Sequence, residues 1–433
     1  MTNPQSALAA GVRPVEVWAW AMFDFANSGY TTVVLTAIFS AYFVSVVAEN
    51  AAWGTLAWTL SLAVSYALIM FTGPLVGAYA DAHAAKKRVL MVTTAACVLA
   101  TAALATVGRA DLALAIALII VSNYCFGTGE NLIAAFLPEI ADGESMGKVS
   151  GWGWALGYVG GLLSLGLCLA YLKWASDRGV ATEAAVPVTM LITAGLFALA
   201  SLPTFLLLKE RAVPQAGPAR LFHDTFGRLG ETVRRARRFQ DLWRFLVCIV
   251  FYQAGIQAVI SLAAIYAEQA MGFTTKETLT LLLVTNVTAS VGALLFGQVQ
   301  DRIGHKATLT ITLLCWIGTI ALVWAAGGPV AFWIAANCVG ICLGASQSAG
   351  RALVGYLSPE KHVAEFFGLW GLAVKLSAIL GPVTYGLVSW LSRGDHRLAM
   401  MMTGSFFLVG LVLLHTVNVR RGREATLAYN TPA

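Results

Sequence analysis

An acid and an amide inside an apolar run raise the first chemical question. The stretch from Trp18 to Phe43, WAWAMFDFANSGYTTVVLTAIFSAYF, is long enough to cross a bilayer, yet it carries Asp24 and Asn27. On a helix these two share a face with Ser28 and Thr31. Asp24 sits roughly 12 Å along the run at the helical rise, well inside hydrocarbon. A carboxylate there is costly unless it faces protein or water. Desolvation favours its protonated form and a nearby cation favours its charged form. An acid held between those effects can take and release a proton. The plainer reading is a structural hydrogen bond to a neighbouring helix, but the rarity of intramembrane acids favours function.

Two further charges lie inside apolar runs. Glu130 belongs to NYCFGTGEN, residues 123–131, where Asn123, Gly127 and Glu130 share a helical face. It is either a second proton or substrate site or a carboxylate near the end of its span, paired with a loop cation such as Lys148. Lys375 is the one basic residue in the middle of a span. A buried ammonium needs a partner or loses its proton, so pairing with Asp24 or Glu130 is expected. An anionic or zwitterionic solute could then replace that acid. Gln253 and Gln257, four apart, with Asn286 and Asn337, are neutral groups able to orient a polar solute. Each alone is more often a helix–helix hydrogen bond. Arg351 closes its run beside Gln347 and reads as interfacial.

These residues need a membrane scaffold to hold them. Of 433 residues, 58% are hydrophobic and 12% charged, about half the charge of a soluble protein. Runs of helix length, rather than alternating ten-residue strands, indicate an all-α integral membrane protein. Twelve spans are predicted, roughly at 16–47, 54–80, 88–107, 112–136, 149–171, 187–208, 241–267, 278–299, 307–326, 330–355, 364–391 and 397–419. Residues 1–208 and 241–419 would form two six-helix bundles, joined by a loop at 209–240 and followed by a tail at 420–433. One set of loops and termini collects 21 Lys and Arg and the other set 6. That asymmetry places both termini and the central loop in the cytoplasm. The basic run Arg234, Arg235, Arg237 and Arg238 is a topology anchor or an amphipathic helix on anionic lipid. The seven cysteines all fall in apolar runs and read as small buried residues. Neither a metal nor a cofactor is expected, and nor is a nucleic acid partner. Short loops and abundant alanine suggest a bacterial inner membrane, and a monomer is expected.

The halves echo each other. GAYADAHAAKKR, from Gly77 to Arg88, follows the second span, and GQVQDRIGHK, from Gly297 to Lys306, follows the eighth. Each has glycine, three residues and aspartate, then basic residues. FANSGYTTVV (25–34) aligns with FYQAGIQAVI (251–260), and KVSGWGWALGY (148–158) with EFFGLWGLAVK (365–375). Such paired halves build many secondary transporters, with substrate near the midplane between them. Gly77, Asp81, Arg88, Gly297, Asp301 and Arg302 read as gating loops, because an aspartate beside a basic cluster can form charge pairs and lie against a helix N-terminus. Gly73–Pro74 and Gly381–Pro382 suggest kinks where the halves rock.

The glycine–aspartate–basic signature resembles the loop motif of the major facilitator superfamily. The second copy matches closely, while the first has no glycine after its aspartate. More narrowly, WAMFDFANSGYTTVVLTAIF, LPEIAD (137–142), SGWGWALGYVGG (150–161) and EFFGLWGLAVKLSAILGP (365–382) resemble the vacuolar effluxer-like branch. That branch includes fungal vacuolar amino-acid exporters and bacterial members of unassigned substrate. The chain departs from it at Ala254, where an acidic residue is usual. The resemblance implies a secondary active transporter of a small, amino-acid-like solute. It would work by alternating access around Asp24, Asn27, Thr31, Glu130, Gln253, Gln257 and Lys375, with a proton as the coupling ion. No Walker motif is present to suggest ATP. A lipid flippase is the alternative reading. A membrane-embedded enzyme would need a nucleophile–base pair or a metal cluster, and the six histidines lie near loops or span ends.

Overall fold

Within lipid each backbone N–H must find its acceptor inside its own segment, so apolar runs of this length fold as helices. The computed structural model describes residues 7–49, 51, 53–109, 111–214, 225–265, 267, 271–325, 328–393 and 396–430. Within the expected central loop, 215–224, with Pro218 and Arg220, lie outside the described residues, as do the side chains of Arg228, Lys276 and Arg397.

Twelve helices are long and apolar enough to cross a membrane among the described residues. The first six are Pro14–Val47, Gly54–Ala82, Lys86–Thr106, Leu112–Ile140, Gly143–Ser176 and Thr182–Leu207. The second six are Gln240–Ile260, Thr280–Ile303, His305–Ala325, Val330–Leu357, Glu360–Ser389 and Leu398–His415. All twelve sequence-predicted spans are present, with shifted ends. The fifth shifts most, because a turn at 143–145 and the polar start Met146–Lys148 extend its helix at the basic end. The first span is not uniformly α-helical. It widens to π-helix at Thr31–Ala37 and again at Phe43–Val47, a distortion that often accompanies functional sites.

The two halves meet chiefly along two seams, the second span against the eleventh and the fifth against the eighth. Glycine permits both. A Cβ on Gly77 would run into the Ala364 carbonyl, and one on Gly368 would lie 2.6 Å from the Gly73 carbonyl carbon. Gly151 and Gly297 approach so closely that a Cβ on either would lie 3.3 Å from the other's Cα. Such contacts are how membrane helices gain packing energy without a hydrophobic driving force between them. Gly77 and Gly297 each stand four residues before the aspartate of their own span, Asp81 and Asp301. Gly73–Pro74 and Gly381–Pro382 sit inside continuous helices. Gly381 is packed against the Ala254 carbonyl.

Part of the expected central loop is a helix, Thr225–Arg238, and the tail is another, Val419–Asn430. The second is tied down firmly. Arg421 binds Asp241 through Nε at 2.7 Å and Nη2 at 2.8 Å, and Thr426 Oγ1 donates to the Leu357 carbonyl at 2.9 Å.

The turn after the second span answers a question raised by its missing glycine. In the eighth-span copy, Gly304 takes a φ of +90° three residues past Asp301. In the first copy Ala84 stands at the same offset from Asp81 and adopts φ +47°. The Ala85 N–H still closes onto the Ala80 carbonyl at 2.9 Å, as a left-handed helix terminus requires. The turn therefore forms without glycine, at a cost of about 1–2 kcal/mol for an L residue in that region. Ala84→Gly is expected to stabilise the protein by about 0.5–1 kcal/mol once the greater chain entropy of glycine is subtracted. A denaturation midpoint unchanged or lowered in detergent would contradict that strain.

Candidate functional site

Asp24 finds its cation in the other half of the protein. Arg351, on the tenth span, places Nη1 2.6 Å from Asp24 Oδ2. The same guanidinium donates from Nε to Ser150 Oγ at 3.1 Å and from Nη2 to the Ser150 carbonyl at 2.9 Å. It also lies over the rings of Trp20 and Trp154, with centroids 4.7 and 5.3 Å away. Trp20 is itself fixed, donating from Nε1 to the Ile133 carbonyl at 2.8 Å. Gly153 completes the arrangement, since a Cβ there would collide with Asp24, Arg351 and Trp20. Arg351 is only 3% exposed, so its expected interfacial position is corrected. It lies about 9 Å from the end of its helix at 1.5 Å per residue, deep enough to face the first and fifth spans.

Glu130 pairs with Lys375. Nζ lies 3.2 Å from Oε2, again joining opposite halves. The ammonium also sits over the rings of Tyr66 and Phe126, at 5.4 and 5.8 Å. Of the two acids considered for Lys375, the structure selects Glu130. The alternative pairing of Glu130 with Lys148 does not form. The Lys148 ammonium lies over Trp152 instead.

The neutral candidates divide. Gln253 donates from Nε2 to Gln347 Oε1 at 2.7 Å and leaves its own Oε1 buried without a partner. Asn27 is buried with Oδ1 unpartnered. Gln257 is half-buried and Thr31 exposed, at the start of the π-helical stretch. Asn286 and Asn337 spend their amide donors on their own helices, on the carbonyls of Leu282 and Trp333.

Both loop aspartates reach across the seams. Asp81 accepts from the backbone N–H groups of Ala364 at 3.1 Å and Glu365 at 2.9 Å, in the first turn of the eleventh-span helix. Asp301 accepts from the N–H of Lys148 at 3.1 Å, in the first turn of the fifth-span helix. Each half thus caps a helix of the other, where free N–H groups and the helix dipole favour an anion. Gly77 and Gly297 allow the backbone approach that brings the caps within reach. Arg88 and Arg302 are exposed and pair with neither aspartate. The basic residue drawn inward is Lys86, which is buried and forms an ion pair with Glu139 of LPEIAD. One arginine of the central run also turns inward: Arg235 Nη1 lies 2.6 Å from Glu365 Oε2, beside His362.

From sequence Arg351 reads only as interfacial, and Trp20, Trp154, Ser150 and Tyr66 do not stand out. A basic residue a few positions before a span end was the available signal for Arg351, and burial alone distinguishes it from a boundary charge.

Known proteins match this chain in family and in fold. The family described as "Vacuole effluxer Atg22 like" matches residues 55–427. The chain is similar to the uncharacterized MFS-type transporter YxiO of Bacillus subtilis, 28% identical, covering 92% of this chain and 93% of that one. It is also similar to autophagy-related protein 22 of Eremothecium gossypii, 23% identical over 71% of this chain and 66% of the fungal protein. Among solved structures, the proton:xylose symporter XylE shares the fold with a TM-score of 0.73 at 13% identity, over 96% of this chain and 98% of the other. The human organic anion transporter MFSD10 does so at 0.71 and 14%, over 93% and 100%. With twelve spans, paired loop motifs and these relatives, the chain belongs to the Atg22-like vacuole effluxer family of major facilitator transporters.

Proposed function

We propose that this protein is a secondary active carrier of a small, amino-acid-like organic solute, working by alternating access, with a proton as the coupling ion. Its moving bodies are the bundles at 1–208 and 241–419, and the face carrying both termini is cytoplasmic. The observation that carries the reading is the pair of ionic bonds, Asp24–Arg351 and Glu130–Lys375, joining the halves inside lipid-spanning helices. Charges in that environment are costly and are retained where they serve transport. A carrier must break and remake contacts between its halves in each cycle, and protonating an acid in such a pair is a direct way to loosen it. Asp24 and Glu130 are the acids proposed for that step. Asn27, Thr31, Gln253 and Gln257 supply neutral polar groups along the pathway.

The first expected outcome concerns coupling. In proteoliposomes loaded with labelled amino acids, wild type is expected to show flux driven by an imposed pH gradient. Asp24→Asn is expected to lose that drive at least tenfold, equivalent to about 1.4 kcal/mol of coupling. Equal gradient-driven flux in the two proteins would give Asp24 a purely structural role.

The gate makes a separate prediction. Asp81 and Asp301 hold the closed face by capping opposite halves. Removing a helix cap costs about 0.5–2 kcal/mol, which shifts a two-state equilibrium by roughly 2- to 30-fold. Asp81→Ala and Asp301→Ala are expected to raise the labelling rate of cysteines introduced at the cytoplasmic mouth by that factor. Labelling that stays at the wild-type rate in both variants would remove the gating role.

A further inference from the structure

We propose that the two intramembrane ion pairs have different tasks. Asp24–Arg351 is the tie that a proton loosens and the solute does not touch, whereas Lys375–Glu130 is the ligand-exchange site for a small zwitterion. The assignment rests on the carrier reading and adds to it which pair the solute opens.

The two pairs differ in how firmly their cations are held. Arg351 is anchored by all three of its nitrogens. Nε, Nη1 and Nη2 donate to Ser150 Oγ, Asp24 and the Ser150 carbonyl, three of its five N–H donors, and its guanidinium lies over the rings of Trp20 and Trp154. Ser150 is held in turn, donating to the Ser348 carbonyl at 2.9 Å. A solute reaching this guanidinium would have to displace three hydrogen bonds to groups of the other half. Lys375 is the opposite case. An ammonium carries three donors, and this one makes a single hydrogen bond, at 3.2 Å. Glu130 binds through Oε2 alone and keeps 24% of its side chain exposed.

Spare capacity gathers around that pair. Asn131, the next residue after Glu130, is buried with both ends of its amide unpartnered. Gly371, one helical turn before Lys375, lies directly against the Asn131 amide. Gly127 lies beside the lysine stem: a Cβ there would be 3.4 Å from Lys375 Cε, in ordinary contact, and would clash with Ile69 at 2.5 Å. Buried polar groups without partners call for an explanation, and a polar solute supplies one.

Charge balance selects the class of solute. A simple anion on Lys375 would leave Glu130 uncompensated inside the membrane, and a simple cation on Glu130 would strand Lys375. Removing one partner of a buried pair is strongly unfavourable. A zwitterion replaces both at once: its carboxylate takes the lysine, its ammonium takes the glutamate, and the net charge of the site is unchanged. The rings of Tyr66 and Phe126 favour cationic groups at this place.

The test is thermal unfolding of the purified full chain in detergent with three probes at equal concentration. L-Alanine carries both charges, propionate only the carboxylate and ethylamine only the ammonium. Ligand bound to the folded state alone raises the midpoint. Alanine is expected to raise the wild-type midpoint more than either single-charge probe. Lys375→Gln and Glu130→Gln are expected to lose that increment. Asp24→Asn is expected to unfold at a lower temperature without ligand yet keep the increment. The exchanged double variant Glu130→Lys with Lys375→Glu is expected to regain it, which a merely structural pair would not require. An increment that survives Lys375→Gln, or is lost equally in Asp24→Asn, overturns the assignment. So does a wild type that responds to no probe. Cysteine labelling from each side of liposomes separates this outcome from failure of the carrier reading. A protein that changes access but ignores alanine loses only the ligand site. One that binds alanine in this pattern but never changes access loses only the carrier reading.

Discussion

A charge cannot be left alone in hydrocarbon, and the arrangement of this protein follows from that constraint. Isolated, Asp24 or Lys375 would carry a penalty of several kcal/mol at the bilayer centre. Each is matched by a partner contributed by the opposite half, Arg351 and Glu130. Their attraction gains strength from the low dielectric that makes them costly. The halves therefore cannot separate fully at this level without exposing charge to lipid, unless water, a proton or a solute takes the partner's place.

The loop aspartates apply the same logic at the membrane edge. Asp81 and Asp301 each answer unsatisfied N–H groups at the start of a helix in the other half. Glycine at Gly77 and Gly297 lets the backbones come near enough for those caps to form. Arg235 then reaches from the central helix to Glu365, whose own N–H is held by Asp81. Contact between the halves, helix capping and the central segment thus converge on one turn of the eleventh span. A change at any of the three is felt by the others through that turn.

The turn at Ala84 shows how firmly this geometry is imposed. The sequence offers an alanine where a left-handed residue is required, and the backbone adopts φ +47° regardless. Packing of the second span against the eleventh on one side, and of Lys86 against Glu139 on the other, holds the turn. Strain of this size persists only where surrounding contacts overdetermine the conformation.

The spans and the paired loop motifs are legible in the amino-acid sequence, because hydrophobic length and repeated spacing are local properties. The asymmetry of loop charge is legible in the same way. So is the fact that Asp24, Glu130 and Lys375 need partners, since an ionisable residue in an apolar run is visible without a fold. Which partner each takes is not local. Lys375 had two candidate acids, and Arg351 read as a boundary charge because its distance from the chain's next polar residues is short. Only the packing of the tenth span against the fifth and the bond from Arg351 to Asp24 show that it points inward, over Trp20 and Trp154. Lys86 is the same lesson in reverse: it counts as a loop cation by position and lies buried against Glu139 by tertiary contact. Sequence set where charge enters the membrane; the tertiary structure decided how it is neutralised, because neutralisation depends on residues as far apart in the chain as 24 and 351.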